Sequence, residues 1–346
     1  MRSWNSITLG EVLPFKYGKN LPASKRTHSG EYDVVSSAGI IDSHDTAFTT
    51  EPCIVIGRKG SIGSLTYCPD PVWPTDTTFY VTGTPYCDLR FGYYVLQTLP
   101  LNQMNNDSAV PGLNRNDAES LAFSLPPVSE QKTIAKVLGS LDDKIAANQR
   151  TIQSADSLRN ALWDKLLKTN TESLPLSSLA EFINGRAFTK NATGTGRVVA
   201  RIAELNSGIG SNTVFNDIEV HQNHVVLPGE LLFAWSGTLM TKRWPYDEAI
   251  VNQHIFKVLP ISKFDLWALE LIIQSQIHYF QMIAAGKATT MGHIKRADLD
   301  KTVEVPTSIP DKLNMLGNTL WMLATQAEQE NQTLARTRDE LLPLLM

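Results

Sequence analysis

A short loop rich in glycine and cations is the part of the first half best suited to chemistry. The run Gly57-Arg58-Lys59-Gly60-Ser61-Ile62-Gly63 follows the apolar segment Cys53-Ile54-Val55-Ile56. The apolar segment predicts a buried strand, and the glycines predict a flexible loop that carries two cations and a hydroxyl. Arg58, Lys59 and Ser61 are therefore candidates to contact the phosphates or base edges of a nucleic acid. A plain hairpin with solvated cations is the alternative.

The second half contains an equivalent loop, which also follows an apolar run but has different residues at its tip. The apolar run Leu231-Leu232-Phe233 precedes Ala234-Trp235-Ser236-Gly237-Thr238, and Thr241-Lys242-Arg243-Trp244 follows. Arginine and lysine at the first tip are replaced by tryptophan and serine at the second. The candidate contacts in this loop are Trp235, Ser236, Thr238, Lys242 and Arg243.

The two halves of the chain have related sequences. Residues 60–79 align without a gap with residues 237–256, which pairs Phe79 with Phe256. Upstream, Gly18 corresponds to Gly185 at a different offset, so insertions separate the matching blocks. We predict a tandem repeat whose two copies share one fold and, through their different loop tips, read two different nucleic-acid sequences. Chance similarity between two loop-rich segments is the alternative.

Each half ends in a segment with a heptad repeat. Apolar residues recur at steps of four and three after Pro126-Pro127, and again after Pro310. A long helix with a narrow apolar stripe needs a partner stripe, which the other half supplies. The predicted seam residues are Ile134, Leu138, Leu141, Ile145, Ile152 and Leu162 in the first helix, and Leu313, Leu316, Leu320, Leu323, Leu334 and Leu341 in the second.

The connectivity predicts the direction of this helix pair. The first helix leads from one globular region to the other, so the second helix must run back to meet it. We therefore predict an α+β fold in which two globular regions of mixed short strands and helices are separated by two long antiparallel coiled-coil helices, each on the order of 60 Å long. The predicted boundaries are 1–127, 128–168 for the central helix, 169–308, and 309–346 for the C-terminal helix. The alternative is that each helix packs separately on its own domain.

Composition sets wider limits on function. A chain of 346 residues with 42% hydrophobic content suits two modest domains plus connecting elements. It contains no stretch of about 18 apolar residues and no signal-peptide pattern, so we expect no membrane span. Cys53, Cys68 and Cys87 form no Cys-x-x-Cys pair, which favours a reducing cytoplasm and argues against zinc. With a net charge of −4, basic contacts to a nucleic acid must be local.

In both halves an ordered set of motifs resembles the specificity (S) subunits of type I restriction-modification systems. In the first half the motifs are Ile54-Val55-Ile56-Gly57-Arg58-Lys59-Gly60-Ser61-Ile62-Gly63, Thr75-Asp76-Thr77-Thr78-Phe79, and Leu113-Asn114-Arg115 leading through Leu125-Pro126-Pro127 to Glu130-Gln131. In the second they are Pro228-Gly229-Glu230-Leu231-Leu232-Phe233, Val251-Asn252-Gln253-His254-Ile255-Phe256 and His293-Ile294-Lys295-Arg296. The second copy departs from the pattern at Asp311-Lys312, where Glu-Gln would stand.

The resemblance implies a non-catalytic DNA-reading subunit with two target recognition domains. Each domain would read one half of a split, asymmetric sequence in double-stranded DNA. The paired helices would fix the gap, which is the number of unspecified base pairs between the two halves, and would dock two modification (methyltransferase) subunits. Restriction/translocase subunits would join the assembly. S-adenosylmethionine, ATP and Mg²⁺ would be bound by those partners, and no cofactor by this chain. The resemblance adds to the DNA-contact candidates Thr75, Thr77, Arg115, Asn252, Gln253, His254, Lys295 and Arg296.

Two other classes of function are weighed against this one. A stand-alone DNA-modifying enzyme would need signatures that are missing, because 57–63 lacks the spacing of a nucleotide-binding P-loop and the Pro126-Pro127 pair lacks a following aromatic residue. A repeated acidic site is also missing, since Gln253 stands opposite Asp76 in the alignment. A coiled-coil scaffold for partners other than DNA remains open, and the loop cations distinguish it from a DNA reader.

A change in coil length tests the idea that the helices act as a ruler. Insertion or removal of one heptad is expected to change the accepted gap in the DNA or to abolish binding, because a rigid coil sets the separation of the two readers. Binding to duplexes with different gaps measures this. A variant that keeps the original gap at full affinity contradicts the hypothesis.

Overall fold

The computed structural model describes residues 4–104, 112–286 and 292–346. The chain divides into two compact units. Unit 1 consists of residues 1–143 and 334–346, and unit 2 of residues 144–333. Both unit boundaries fall inside long helices, so each of these helices contributes residues to both units. No helix in the described ranges is both long and apolar enough to cross a membrane.

Unit 1 combines short strands with helices. Its strands are β1 (Asn5–Thr8), β2 (Lys16–Tyr17), β3 (Tyr32–Ser36), β4 (Gly39–His44), β5 (Cys53–Gly57), β6 (Leu65–Cys68), β7 (Trp73–Pro74), β8 (Thr78–Thr82) and β9 (Ala122–Leu125). Its helices are α1 (Leu9–Val12), α2 (Leu89–Thr98), α3 (Arg115–Glu119), the first part of α4 (Val128–Leu167) and the last part of α7 (Asp311–Leu345), with short 3-10 turns at Ala23–Lys25 and Leu101–Gln103.

The strand β5 lies inside unit 1 and has no exposed residue. It pairs with β8 and β6 in a four-stranded sheet of order β2-β8-β5-β6, and a second sheet has the order β4-β3-β7. Because side chains alternate across a strand, Ile54 and Ile56 enter the core that contains α2, while Cys53 and Val55 enter a smaller cluster with Val35. The turn that follows β5 therefore starts from a strand that is packed on both faces.

Unit 2 has the same kinds of element. Its strands are β10 (Thr171–Pro175), β11 (Ala180–Asn184), β12 (Arg197–Ala200), β13 (Phe215–Asn216), β14 (Val225–Val226), β15 (Leu231–Ala234), β16 (Met240–Arg243), β17 (Ala249–Val251), β18 (Ile255–Pro260) and β19 (Thr302–Pro306). Its helices are the second part of α4, α5 (Ile202–Ser207), α6 (Leu266–Gly286) and most of α7 (Asp311–Leu345), with 3-10 turns at Leu176–Ser178, Gln222–His224 and Arg296–Asp300.

The sheets of unit 2 repeat the topology of unit 1. The order β11-β18-β15-β16 matches β2-β8-β5-β6, with β15 as the fully buried strand. Leu231 and Phe233 face the core that contains α6, whereas Leu232 and Ala234 face a second cluster. In the second sheet β12 and β17 run parallel, as β3 and β7 do in unit 1.

Matching backbone hydrogen bonds confirm the predicted duplication. Gly18 N donates to Thr78 O at 3.1 Å, and Gly185 N donates to Ile255 O at 2.9 Å. At the loop tips, the amide of Arg58 donates to Thr77 O at 2.9 Å, and that of Trp235 donates to His254 O at 3.0 Å. The tip carbonyls also match, since each accepts from an apolar residue that precedes a short helical segment: Leu113 N to Arg58 O at 2.8 Å and Ile294 N to Trp235 O at 3.1 Å.

The two long helices run antiparallel, as the connectivity predicts. In unit 2, Asn148 donates to Glu330 at 2.7 Å, and farther along α4 the guanidinium of Arg159 lies over Trp321, which comes earlier in α7. In unit 1, Arg338 donates to Asp142 at 2.8 Å. Rising residue numbers on α4 therefore meet falling numbers on α7 within unit 2, and the alternative of separately packed helices is wrong there.

Leu316 and Leu323 are the two most exposed of the predicted seam residues, at 39% and 42%. Leu323 nevertheless lies beside Thr151 and Leu158 of α4, where these residues line one groove. The residues of α7 that are buried are Gly317, Leu320, Trp321, Ala324, Thr325 and Ala327. Small residues at most of these positions allow close approach of a neighbouring element, and Leu320 of the predicted seam is buried among them.

The other predicted seam positions differ in their degree of burial. Buried members are Ile134, Leu138, Ile152, Leu162 and Leu320. Partly buried members are Leu141, Ile145, Leu313, Leu334 and Leu341.

In each unit a helix docks on a glycine of a long helix. The second residue of α6, Trp267, covers Gly317 of α7, and a Cβ built on that glycine would lie 2.3 Å from the indole ring. In unit 1 the second residue of α2, Arg90, covers Gly139 of α4, where a Cβ would lie 2.6 Å from Arg90 Nε. In each unit, the helix that follows the last strand of the four-stranded sheet described first, α2 after β8 and α6 after β18, thus packs closely against a glycine of a long helix.

Alanine at Gly317 is expected to destabilise the protein by about 1–2 kcal/mol, because the clash with a rigid indole outweighs the gain of about 1 kcal/mol in helix propensity. The matched change Gly139→Ala should cost less, since Arg90 is a flexible side chain that moves aside. Chemical denaturation of the two variants and the parent protein measures the difference. The docking role of Gly317 is refuted if Gly317→Ala is as stable as the parent protein.

Candidate nucleic-acid interface

In unit 1 the predicted loop forms a tight turn between β5 and β6. Gly57 N donates to Ser64 O at 2.8 Å, and Gly63 N donates back to Gly57 O at 2.8 Å. Gly60 and Gly63 have φ values of 77° and 70°, in the left-handed region that glycine adopts without strain. Lys59 and Ser61 are exposed on this turn. The turn therefore presents a cation and a hydroxyl to solvent, as predicted.

Arg58 is held in place by its neighbours. Its Nη2 donates to Asp76 O at 2.7 Å, and its guanidinium carbon lies 5.5 Å from the Tyr17 ring centroid and 5.8 Å from that of Phe79. The Nε atom is buried and has no hydrogen-bond partner. An arginine that is oriented by aromatic rings loses little side-chain entropy on binding, which suits recognition of a phosphate or of guanine.

Thr75 and Thr77, which follow β7, hold the turn between β5 and β6 in place. Thr75 is 5% exposed, and its hydroxyl lies 2.8 Å from that of Thr77. The carbonyl of Thr77 accepts hydrogen bonds from the amides of both Arg58 and Lys59, at 2.9 Å and 3.1 Å. Thr75 therefore fixes the geometry of the interface, while Thr77 is partly exposed beside Arg58.

Arg115 has a structural partner in unit 1. Its Nε donates to Glu119 Oε1 at 3.0 Å, and the same oxygen accepts from Phe15 N at 2.6 Å. The side chain of Arg115 is 39% exposed, so a contact with DNA would compete with this pair.

A basic and aromatic segment next to this loop was not among the predicted contacts. Lys16, Tyr17 and Lys19 are exposed, and Tyr17 is 54% exposed although its ring also packs on Phe79, with centroids 5.0 Å apart. The Nζ of Lys19 lies 6.0 Å from the Trp73 ring centroid. An exposed ring between cations is typical of surfaces that bind nucleic acids. The run Lys16-Tyr17-Gly18-Lys19 is the sequence signal that identifies this segment.

In unit 2 the tip of the equivalent turn is an indole ring. Trp235 is partly buried, its Nε1 donates to Asn184 Oδ1 at 2.8 Å, and its ring centroid lies 5.0 Å from that of His254. His254 has a φ of 75°, which is unusual for a residue with a side chain. The position that carries a guanidinium in unit 1 thus carries an indole that packs at an angle against an imidazole in unit 2.

The remaining predicted residues of unit 2 fall into buried and exposed groups. Ser236 is 4% exposed and Asn252 is 8% exposed, so these two shape the turn from within. The exposed or partly exposed candidates are Thr238, Lys242, Gln253, Lys295 and Arg296.

Arg243 does not belong to the surface, which corrects its proposed role as a DNA contact. It is 4% exposed, and its Nε and Nη2 donate to the two oxygens of Glu328 at 2.9 Å and 3.1 Å. Burial opposes the charge, but the hydrogen bonds and charge of Glu328 raise the pKa of the Arg243 guanidinium. The sequence could not show this, because Glu328 lies far along the chain on α7.

Arg186 is a further cation in unit 2 that sequence reasoning missed. It is exposed, and it follows Gly185 as Lys19 follows Gly18 in unit 1. Its backbone is held by Val251 O, which accepts from Arg186 N at 3.2 Å, as Pro74 O accepts from Lys19 N at 2.9 Å. A cation after the repeated glycine in both copies is the signal that identifies it.

No group of three or more metal-ligating side chains occurs among residues 4–104, 112–286 and 292–346. His224 lies near Arg186 and His221. Burial lowers the pKa of His224, and the charges of Arg186 and His221 lower it further. His224 is therefore mainly neutral at pH 7.

Residues 1–156 match the family model described as the type I restriction modification DNA specificity domain. This part of the chain, which is a little under half of its length, is therefore similar to that domain. The specificity subunit of the type I restriction enzyme EcoprrI from Escherichia coli is 26% identical over 145 residues, which cover 39% of this chain and 35% of the relative. A putative type I specificity subunit of Mycoplasma genitalium is 27% identical over 186 residues, or 49% of this chain and 45% of the relative. The chain thus matches less than half the length of these relatives.

The specificity-domain fold extends over the whole chain. A crystal structure of the type I restriction-modification S subunit from M. genitalium superposes with a TM-score of 0.65, covering 99% of this chain and 96% of that one at 15% identity. This likeness confirms the predicted α+β architecture in both halves. At this level of identity it concerns the fold alone.

Replacement of Arg58 with methionine is expected to weaken binding to double-stranded DNA. If the guanidinium contacts a phosphate, the slope of the logarithm of the binding constant against the logarithm of the salt concentration should decrease in magnitude by about one. If it reads a guanine, selectivity at one base position should relax at a cost of about 1–3 kcal/mol. Titrations of labelled duplexes at several salt concentrations measure both quantities.

Arg197→Met is the matched control for this experiment. Arg197 is an arginine at the surface that is paired with Glu248 at 3.0 Å and with Ile218 O at 2.7 Å. Its loss should leave slope and selectivity unchanged. If Arg58→Met behaves like this control, Arg58 does not belong to the interface.

Proposed function

We propose that this chain is the sequence-specific DNA-recognition subunit of a type I restriction-modification complex, and that it reads a bipartite, asymmetric sequence in double-stranded DNA. The observation that carries the proposal is that the same pattern of backbone hydrogen bonds surrounds the loop after β5 and the loop after β15, while the residue at the tip of the loop differs. The same backbone positions present Arg58 in unit 1 and Trp235 in unit 2. The match of residues 1–156 to the model of the DNA specificity domain supports it.

The chemistry of the tips accounts for the proposed asymmetry. Arg58 offers the outer N–H groups of its guanidinium, of which Nη2 is also bonded to Asp76 O, as donors to a phosphate or to O6 and N7 of guanine. Trp235 offers an aromatic surface and has its N–H already bonded to Asn184. Two such tips select different bases, so each unit reads its own half of the target. Exposed cations beside each tip, including Lys19 and Arg186, supply contacts to the backbone of the DNA.

The long helices serve as the docking surface for the modification subunits in this proposal. Exposed apolar side chains lie on both, with Leu158 49% exposed on α4, and Leu316, Met322 and Leu323 39%, 55% and 42% exposed on α7. Such residues beyond the helix seam are typical of protein interaction sites. Two methyltransferase subunits dock here, and restriction/translocase subunits complete the assembly.

The division of labour in this complex leaves the present chain without a catalytic role. S-adenosylmethionine belongs to the modification subunits, and ATP with Mg²⁺ to the restriction/translocase subunits. The chain itself binds no cofactor and acts in the cytoplasm, where the DNA and its partners are found. Purified chain that methylates or cleaves DNA by itself contradicts this assignment.

Selection from random duplexes tests the proposal directly. The purified full chain is incubated with duplexes that contain a randomised central region, and the bound fraction is sequenced over several rounds. We expect two short specified blocks of different sequence, separated by a fixed number of unspecified base pairs. Recovery of a single continuous block, or of no enriched sequence, contradicts bipartite recognition and favours a scaffold whose globular regions bind other partners.

A further inference from the structure

A buried cluster of charged side chains surrounds Trp321 in unit 2. The guanidinium carbons of Arg159 and Arg243 lie 5.0 Å and 4.9 Å from the centroid of its ring. Each arginine side chain is only 4% exposed. Cations at this distance are attracted by the electron-rich face of an indole, and the attraction grows when water is excluded. One tryptophan therefore holds two arginines of different elements together.

Carboxylates from three helices balance these two cations. Arg159 Nη2 donates to Glu270 Oε2 and to Asp156 Oδ1, both at 2.8 Å. Arg243 donates from Nε and Nη2 to the two oxygens of Glu328, and its Nη1 lies 3.5 Å from Asp156 Oδ1. Burial raises the pKa of Glu270, while the charge and hydrogen bond of Arg159 lower it. The cluster is a connected network rather than a set of isolated pairs.

The links of this network join the globular part of unit 2 to its helix pair. Arg243 is the last residue of β16 and reaches Glu328 on α7. Glu270 lies on α6 and reaches Arg159 on α4. Trp321 adds a third link, because its Nε1 donates to Gly229 O at 2.9 Å. Both long helices are thus tied to the sheets and to α6 at one place.

Buried ion networks of this kind fix a geometry more than they add stability. Their desolvation costs about as much as their attraction returns, so an apolar contact of equal size would be at least as stable. A bidentate arginine–carboxylate pair, however, needs two parallel hydrogen bonds and so accepts only one orientation. The small apolar residues that α7 also buries, such as Ala324 and Ala327, form no directional bonds of this kind.

We infer that Arg243 is a positioning residue, which through Glu328 and Trp321 sets the orientation of the unit 2 sheets on the long helices and thereby the gap that the protein accepts between its two DNA half-sites. This inference rests on the proposed function and deepens it. Arg243 contacts no DNA in this role. It acts on the position of a reader and leaves the chemistry of that reader unchanged.

The test compares gap selectivity between the parent protein and a variant of the network. Arg243→Met combined with Glu328→Gln removes both charges, so that no carboxylate is left unpaired, and Arg150→Met on an exposed position of α4 is the matched control. The probes are duplexes that carry the two blocks recovered by selection, with the gap varied one base pair at a time. We expect the preference of the double variant for the best gap over its neighbours to fall by about fivefold, the size of a typical coupling between contacting groups. Arg150→Met keeps the parent profile.

The outcomes separate a positioning role from a merely structural one. If the network only stabilises unit 2, the double variant binds all gaps more weakly and keeps the parent optimum and preference, which overturns the inference. If the parent protein itself shows no preferred gap, bipartite recognition at a fixed distance fails, and the inference fails with it.

A second variant keeps the test decisive if the double variant does not fold, as judged by circular dichroism. Arg243→Lys retains the charge but loses the planar fork. It should fold and also broaden the gap profile, because an ammonium group does not fix an orientation. A Lys variant with the parent profile overturns the inference.

Discussion

A strand without an exposed face lies at the centre of each unit, and the placement of the candidate interface depends on it. In unit 1 all residues of Cys53–Gly57 are buried, and in unit 2 all residues of Leu231–Ala234 are buried. One face of each strand packs towards the helix that follows the main sheet, and the other face packs towards the second sheet. The residue that follows each strand is consequently held between two layers, and only its side chain is free to differ between the copies.

The helices illustrate a different balance of forces. The buried residues of α7 are mostly small, together with Leu320 and the large Trp321, whereas Leu316 and Leu323 of the heptad pattern are exposed. Small residues let α6 and the sheets approach closely, as the indole of Trp267 over Gly317 shows. The buried charges around Trp321 then select one arrangement among those that small apolar surfaces allow. The exposed leucines are left for partners, in keeping with the proposed docking role.

Electrostatics favour local recognition over general attraction to DNA. The chain carries a net charge of −4, yet several of its acidic side chains are engaged within the fold, such as Glu119 with Arg115 and Glu328 with Arg243. Cations near the two tips, such as Lys59 and Lys295, are exposed. This distribution of charge favours recognition through shape and a few well-placed contacts, as the proposed function requires.

The sequence by itself determined the duplication, the two long helices, their direction and the two loop tips, because each of these follows from local pattern or from connectivity. The spacing of glycines and apolar runs is a property of short segments, and it predicted that Arg58 and Trp235 occupy equivalent places. Only the tertiary structure decided that Arg243 is buried against Glu328, that Leu316 and Leu323 are exposed, and that Tyr17 lies beside Arg58. These outcomes depend on which surfaces meet across long stretches of chain, and a side chain of given type is a DNA contact or a structural ion pair according to the neighbour that the fold brings to it.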